Sequence, residues 1–328
     1  MDDLKSIKDN QSNKKSTVSQ ISSQRVHSET RLKHKSSKLL IRDFWVLTKP
    51  RVCALAVFCA VIGMLLARPI LPDFSLVVLA ALGIWLLAAG SFAFNCVLEA
   101  NYDAKMKRTQ HRATAKRNIS DLKTLTFAAI LVALGSLVLL VWVNSTTWFF
   151  TFMTFIGYAF VYTLWLKPHT PQNIVIGGAS GAMPPALGWS AITQSVGAEA
   201  WVLVLIIFLW TPPHFWALAL YRKDDYFQSG LPMLPVTHGE SITRLHIFLY
   251  SIGLWGASVL PFALGMSGLF FLIGALLLGA WYVHDAYTLW RFYSDARARR
   301  SFKRSIVYLF ALFACLLIDH FLYNFWLK

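Results

Sequence analysis

Asn95, Glu99 and Asp103 are spaced four residues apart in Phe94-Asn95-Cys96-Val97-Leu98-Glu99-Ala100-Asn101-Tyr102-Asp103, and on a helix that spacing puts all three on one face. Three oxygen donors aimed at one place suit a hard divalent cation such as Mg²⁺, which combines a few carboxylates with the phosphate oxygens of a substrate. Lys105, Lys107, Arg108, Arg112, Lys116 and Arg117 follow directly and supply donors for phosphate oxygens. The chemistry this combination offers is metal-assisted handling of a diphosphate. The competing reading is that Glu99 and Asp103 only neutralise their basic neighbours at a helix end, where charges are cheap compared with a bilayer centre. Asn95, one turn deeper, favours a site.

A second acidic pair, Asp224 and Asp225, lies in Tyr221-Arg222-Lys223-Asp224-Asp225-Tyr226-Phe227-Gln228-Ser229-Gly230-Leu231-Pro232-Met233-Leu234-Pro235. Two acidic clusters flanked by bases would make a two-sided metal–diphosphate site; alternatively, the pair balances Arg222 and Lys223. Trp210-Thr211-Pro212-Pro213-His214-Phe215-Trp216 sets an ionisable ring beside two prolines, which lack an N–H and are expected to break a helix. His214 is either a contact for haem or another porphyrin or a structural ring bonded to a freed carbonyl. Thirteen Trp, 11 Tyr and 24 Phe offer ring faces to shield a carbocation, although such residues also form interface belts.

These residues must be positioned by membrane helices. With 56% hydrophobic and 14% charged residues, the chain is too apolar for an ordinary soluble protein. Its net charge of +15 would raise nucleic acid as a partner, but Lys and Arg are confined to loops between long apolar runs, so none is expected. A pass needs about 20 apolar residues. The runs predict nine helices at about 48–68, 74–98, 122–143, 147–166, 173–193, 199–221, 243–264, 268–290 and 304–326. Met183-Pro184-Pro185 is expected to break the fifth helix, and two broken helices point to a central chamber. The expected fold is all-α, a polytopic integral membrane protein.

Alternate loops carry the basic residues, which places the N-terminus in the cytoplasm and Lys328 on the other side. Residues 1–40 are polar and basic and read as a disordered tail, solvated or resting on anionic lipid; residues 41–328 form the membrane domain. No signal-peptide core opens the chain, its acidic residues argue against a transit peptide, and no cleaved targeting segment is expected. Cys53, Cys59, Cys96 and Cys315 show no ligand or disulfide spacing. His284-Asp285 and Asp319-His320 read as structural pairs near helix ends.

Thr48-Lys49-Pro50-Arg51, the Asn95/Glu99/Asp103 stripe with Arg108-Thr109, and Tyr162-Thr163-Leu164-Trp165-Leu166-Lys167 resemble the intramembrane aromatic prenyltransferase superfamily. Gln172 to Gly178, Trp210 to Ala217 and Asp224 to Pro235 resemble its haem-farnesylating branch, and the resemblance covers about residues 45–325. It implies a nine-helix bundle open laterally to lipid, in which Mg²⁺ assists loss of diphosphate from farnesyl diphosphate. A vinyl group of haem b captures the allylic cation, and water completes haem O. Position by position, it implies that Asn95, Glu99, Asp103, Asp224 and Asp225 hold metal, that Lys49, Arg51, Arg108, Arg112, Tyr162 and Lys167 hold the diphosphate, and that His214 contacts haem. The superfamily stripe usually carries Asp where Cys96 and Glu99 stand here, and the second cluster has Ser229 in place of an Asp.

The tail favours a bacterial inner membrane over a mitochondrial one, so that the charge pattern makes the C-terminus periplasmic, and the resemblance implies supply of product to a haem A synthase or terminal oxidase assembly. Two other readings remain. A quinone-precursor ring as acceptor would leave His214 without an iron partner. A cation-coupled transporter would hold its carboxylates near the midplane, whereas here they gather at one face.

Overall fold

A computed structural model of the chain describes residues 41–326; the expected tail, residues 1–40, lies outside the described residues. Ile41–Leu47 (α1) is helical. From Leu47 onward the chain forms one compact unit, all helix and turn among the described residues: α2 (Pro50–Leu66), α3 (Phe74–Leu98), α4 (Ala100–Asp103), α5 (Asp121–Trp142), α6 (Ser145–Ile156), a π-helix (Gly157–Leu166), α7 (Lys167–His169), α8 (Asn173–Ala182), α9 (Pro184–Thr193), α10 (Ala198–Tyr221), α11 (Lys223–Ser229), α12 (Leu234–Thr237), α13 (Gly239–Ala257), α14 (Leu260–Ala263), α15 (Leu269–Arg291) and α16 (Asp295–Trp326).

Among the described residues seven helices are long and apolar enough to cross a membrane, or eight if Ile41–Leu47 and Pro50–Leu66 count as one broken span. That count differs from the nine expected passes at residues 173–193. There the chain makes two ten-residue helices, α8 and α9, neither of which reaches membrane length. The break at Met183 is where proline was expected to place it. The expected break at Pro212-Pro213 is not seen: α10 runs unbroken from Ala198 to Tyr221. Thr211 Oγ1 donates to Ile207 O at 2.8 Å, adding a bond to the helix just before the prolines, and buried neighbours on α16 hold the segment in place.

Helix starts follow local chemistry. Asp73 accepts from Ser75 and Leu76 N–H and caps α3, Ser120 caps α5 through Lys123 N–H, and Asn144 caps α6 through Thr147 N–H. Asp319 on α16 accepts from Gly268 and Phe271 N–H at the start of α15, which bears out its structural reading. The faces of α5 turned outward carry Ile130, Leu134, Leu137, Leu140 and Val141, an apolar surface suited to lipid. The chain is an integral membrane protein.

Close packing depends on small residues, as between membrane helices generally. A Cβ at Gly63 of α2 would lie 2.1 Å from Pro185 O, and one at Gly188 of α9 would lie 1.8 Å from Ala60 O. The backbones of α2 and α9 therefore touch. One core, built around Leu203, Ile206, Trp210, Phe271, Tyr282, Tyr308 and Phe313, joins α10, α15 and α16. A second, around Trp216, Leu231, Met233 and Leu289, holds the segment that follows α10.

Candidate active site

The stripe on α3 is buried, with Asn95 and Asp103 each 1% exposed and Glu99 5%. The α-helix ends at Leu98 and restarts at Ala100, yet Glu99 N–H still bonds Asn95 O at 2.9 Å and Asp103 N–H bonds Glu99 O at 2.8 Å. The three side chains therefore keep their i, i+4, i+8 alignment through the break.

A basic group meets each of them. Lys49 Nζ donates to Asn95 Oδ1 at 2.6 Å, Lys167 Nζ to Glu99 Oε1 at 2.5 Å, and Arg112 Nη1 to Asp103 Oδ2 at 2.5 Å. Asn95 Nδ2 donates to Glu99 Oε1 at 2.6 Å and to Thr163 Oγ1 at 3.1 Å. Turning that amide over would set its NH₂ against an ammonium and its oxygen against a carboxylate, so its orientation is fixed by charge. Burial alone pushes the Glu99 carboxyl up. The charges of Lys167 and Lys49 and the hydrogen bonds from Lys167 and Asn95 more than reverse this and hold it below the usual carboxylate range.

Three different backbones deliver the cations. Lys49 sits at φ 48°, ψ 59°, a left-handed conformation rare for a residue with a side chain, immediately before Pro50. Such strain persists where the surroundings over-determine it and gathers at functional sites. The Lys49 ammonium also lies 5.2 Å from the centre of the Phe92 ring. Arg112 comes from the 104–120 connection, where Thr109 Oγ1 donates to Asp103 O at 3.1 Å.

Lys167 follows the π-helix, a rare form that recurs at functional sites. With i to i+5 bonding, Lys167 N–H reaches Tyr162 O, and its ammonium lies 5.9 Å from the Tyr162 ring centre. Thr163 Oγ1, which accepts from Asn95, donates to Tyr158 O at 2.8 Å. The π-helix also packs against α8, where a Cβ at Gly177 would lie 2.1 Å from the Tyr162 ring.

The segment after α10 adds Asp225, which is buried, with Oδ2 3.5 Å from Arg222 Nη1 and making no hydrogen bond. Asp224 is exposed, while Lys223 pairs with Glu240 at 3.1 Å. Tyr226, one residue on, lies within electrostatic reach of both Tyr162 and Lys167 and so links this segment to the stripe. Arg51 and Arg108 are exposed, and none of the hydrogen bonds just described involves them. Buried Thr109, beside Arg108, contacts Asp103 instead. Thr109, Thr163 and Tyr226 fall inside the stretches that carry the family resemblance, although no role is expected of them there.

His214 is buried in α10 between the rings of Trp210, with centroids 4.3 Å apart, and Phe302, at 4.5 Å. Gly178 of α8 faces Thr211, one turn before His214. Gly177 and Gly178 of α8 thus connect the Tyr162 side of the site to the His214 side.

Among the described residues no three of His, Cys, Asp and Glu gather as a ready metal cage. The donor set still fits a hard cation that arrives with phosphate: buried oxygens on Asn95, Glu99 and Asp103, and an Asp225 oxygen without a hydrogen bond. Every cation of the stripe is matched to an oxygen donor, so the site suits a ligand that is itself a cation–anion pair. The metal would take the oxygens, and the phosphates would take Lys49, Lys167 and Arg112.

The chain is similar to known proteins over most of its length. The model of the UbiA prenyltransferase family matches residues 56–313. The protoheme IX farnesyltransferase of Bordetella parapertussis is 62% identical over 281 residues, covering 86% of this chain and 95% of that protein. The protein of the same name from Methylibium petroleiphilum is 59% identical over 284 residues, covering 86% and 91%. In the fold, the chain is similar to a digeranylgeranylglyceryl phosphate synthase, with a TM-score of 0.72 at 16% identity, covering 86% of this chain and 98% of that one. It is also similar to a UbiA homologue from Archaeoglobus fulgidus bound to GPP and Mg²⁺, with a TM-score of 0.60 at 14% identity, covering 84% and 99%.

Proposed function

The chain belongs to the UbiA prenyltransferase family, and from that premise we propose that it transfers the farnesyl group of farnesyl diphosphate to a vinyl group of haem b, adding water to give haem O and diphosphate. The observation that carries this reading is identity of about 60% over most of the chain to protoheme IX farnesyltransferases. The buried array of Lys49, Lys167 and Arg112 supports it, because it supplies what a departing diphosphate needs.

The bond between farnesyl C1 and the diphosphate oxygen breaks, and both electrons leave with the diphosphate. Lys49, Lys167 and Arg112 stabilise that growing negative charge in a site shielded from water, where fixed charges act more strongly than in bulk solvent. The vinyl π electrons form the new carbon–carbon bond, leaving a cation beside the porphyrin ring. Water adds there and loses a proton. Mg²⁺, held by Asn95, Glu99 and Asp103 with Asp225 and Asp224 on the second side, would neutralise the phosphate oxygens. Arg51 and Arg108, at the exposed rim, guide the diphosphate in. Tyr162 supports Lys167, and the aromatic walls protect the allylic cation from early hydrolysis.

His214 contacts the haem. We place the protein in a bacterial inner membrane with a cytoplasmic N-terminus and a periplasmic C-terminus. Its product passes to a haem A synthase or a terminal oxidase assembly. The test is mass analysis of haem extracted after incubation of the purified protein with haem b, farnesyl diphosphate and Mg²⁺. Haem carrying farnesyl plus water is expected; unmodified haem from a folded, metal-loaded preparation would overturn the reading and bring quinone precursors forward as acceptors.

A further inference from the structure

Ser305, on α16, holds two residues of α10 at once. Its carbonyl accepts from Trp210 Nε1 at 2.7 Å, and its hydroxyl lies 2.7 Å from His214 Nδ1. Trp210 and His214 are four residues apart and stacked, so Ser305 fixes both the ring and the ring it rests on. Phe302, one turn before Ser305, closes the other face of the imidazole, and Phe215 meets it edge-on at 5.1 Å.

The direction of the Ser305–His214 bond follows from counting protons. A serine hydroxyl carries one, and Ser305 Oγ lies 2.7 Å from both Phe302 O and His214 Nδ1. A carbonyl can only accept, so both contacts are hydrogen bonds together only when the hydroxyl proton goes to Phe302 O and the imidazole N–H sits on Nδ1. As a neutral imidazole the ring has a single N–H, and Nε2 keeps its lone pair. No described group bonds Nε2. The ring is 8% exposed, and because aromatic rings cover both faces, that exposure is along its edge.

A buried imidazole with Nδ1–H tied to an oxygen and Nε2 open is the form in which histidine ligates iron, and the outer hydrogen bond sets its tautomer and orientation. We propose that Ser305 is a positioning residue that locks His214 in the Nδ1–H tautomer and presents Nε2 as an axial ligand to the iron of the haem substrate. This rests on the reading of haem as acceptor. Gripping the porphyrin by its iron holds it along the ring normal and leaves the vinyl-bearing edge free to react.

The test uses the full-length protein in detergent, titrated with haem b and followed by absorption and electron paramagnetic resonance, with farnesyl transfer assayed in parallel. Ser305→Thr and Ser305→Val have the same shape and differ in the hydroxyl, so their difference reads the hydrogen bond even where both lower stability. Wild type and Ser305→Thr are expected to give a histidine-ligated spectrum. Ser305→Val should shift that spectrum and weaken haem binding about 10- to 100-fold. His214→Gly should lose the ligand signature and regain it with added imidazole. Indistinguishable spectra for the Thr and Val variants, or an unchanged spectrum in His214→Gly, would overturn the inference while farnesyl transfer by wild type leaves the proposed function standing. Normal haem ligation without any farnesyl transfer would support His214 as ligand and count against the proposed reaction.

Discussion

Lys167 sets its ammonium 2.5 Å from Glu99 Oε1, the same oxygen that accepts the Asn95 amide proton at 2.6 Å. One carboxylate oxygen thus joins segments 68 positions apart in the chain, and the buried charges of the site depend on one another. Removing one partner of such a pair leaves the other buried and uncompensated.

Lys167→Met is therefore expected to destabilise the protein by about 3–5 kcal/mol and to abolish transfer. Adding Glu99→Gln to Lys167→Met removes the stranded charge and should recover much of the stability without recovering activity. Thermal unfolding of the single and double variants in detergent checks the first effect, and haem product analysis checks the second.

The Glu99 carboxyl is held below its ordinary value of 4.5. A group with a depressed folded pKa stabilises the fold fully above its unfolded value and loses that contribution as pH falls through the folded one. The melting temperature should therefore stay flat down to about pH 4.5 and fall below it. Glu99→Gln should remove this group's share of the fall, which parallel melts of the two proteins would measure.

Asn95→Asp replaces an amide that donates to Glu99 Oε1 with a second carboxylate at the same place. Like charges at that separation cannot both ionise freely. Transfer should fall at least about tenfold, the equivalent of about 1.4 kcal/mol, even though the new residue is a better metal ligand in isolation. Activity equal to wild type across a Mg²⁺ titration would show that amide orientation is unimportant.

Stripping divalent metal with EDTA should stop farnesyl transfer and leave haem binding at the His214 side intact, because no acidic ligand of the stripe contacts that ring. Absorption spectra and product analysis on one sample separate the two.

Gly188→Ala would drive a methyl group to within 1.8 Å of Ala60 O. With backbone on the far side, neither partner yields easily, and a loss of at least about 1–3 kcal/mol is expected. Gly181→Ala, with nothing within 4 Å of its Cβ, should be neutral or stabilising by up to about 1 kcal/mol. Melting temperatures of the two variants decide the matter.

Much of this architecture was legible in the residues. Apolar runs between basic loops gave the membrane helices, because lipid forces each run to satisfy its own backbone. The four-residue spacing of Asn95, Glu99 and Asp103 survived even a break at Glu99. Helix continuity was legible at Met183-Pro184-Pro185, where the expected break separates α8 from α9, and less so at Pro212-Pro213, which fits within α10 because its neighbours hold it. Asp224 and Asp225, adjacent in sequence, differ in burial, one exposed and one buried. Arg51 and Arg108 are exposed and stand outside the hydrogen bonds around the stripe. Ser305 has no motif, and its role depends on a contact 91 positions away.

The winding of residues 157–166 has a consequence for how the site is inherited. Around an α-helix of 3.6 residues per turn, Tyr162 and Lys167 would point about 140° apart; with i to i+5 bonding they stand together. Deleting one residue from this stretch, with no charge removed, would let it tighten and swing the Lys167 ammonium away from Glu99. The grip on the leaving group is thus written partly in the pitch of a neutral, apolar coil, where a change of length costs more than most changes of residue.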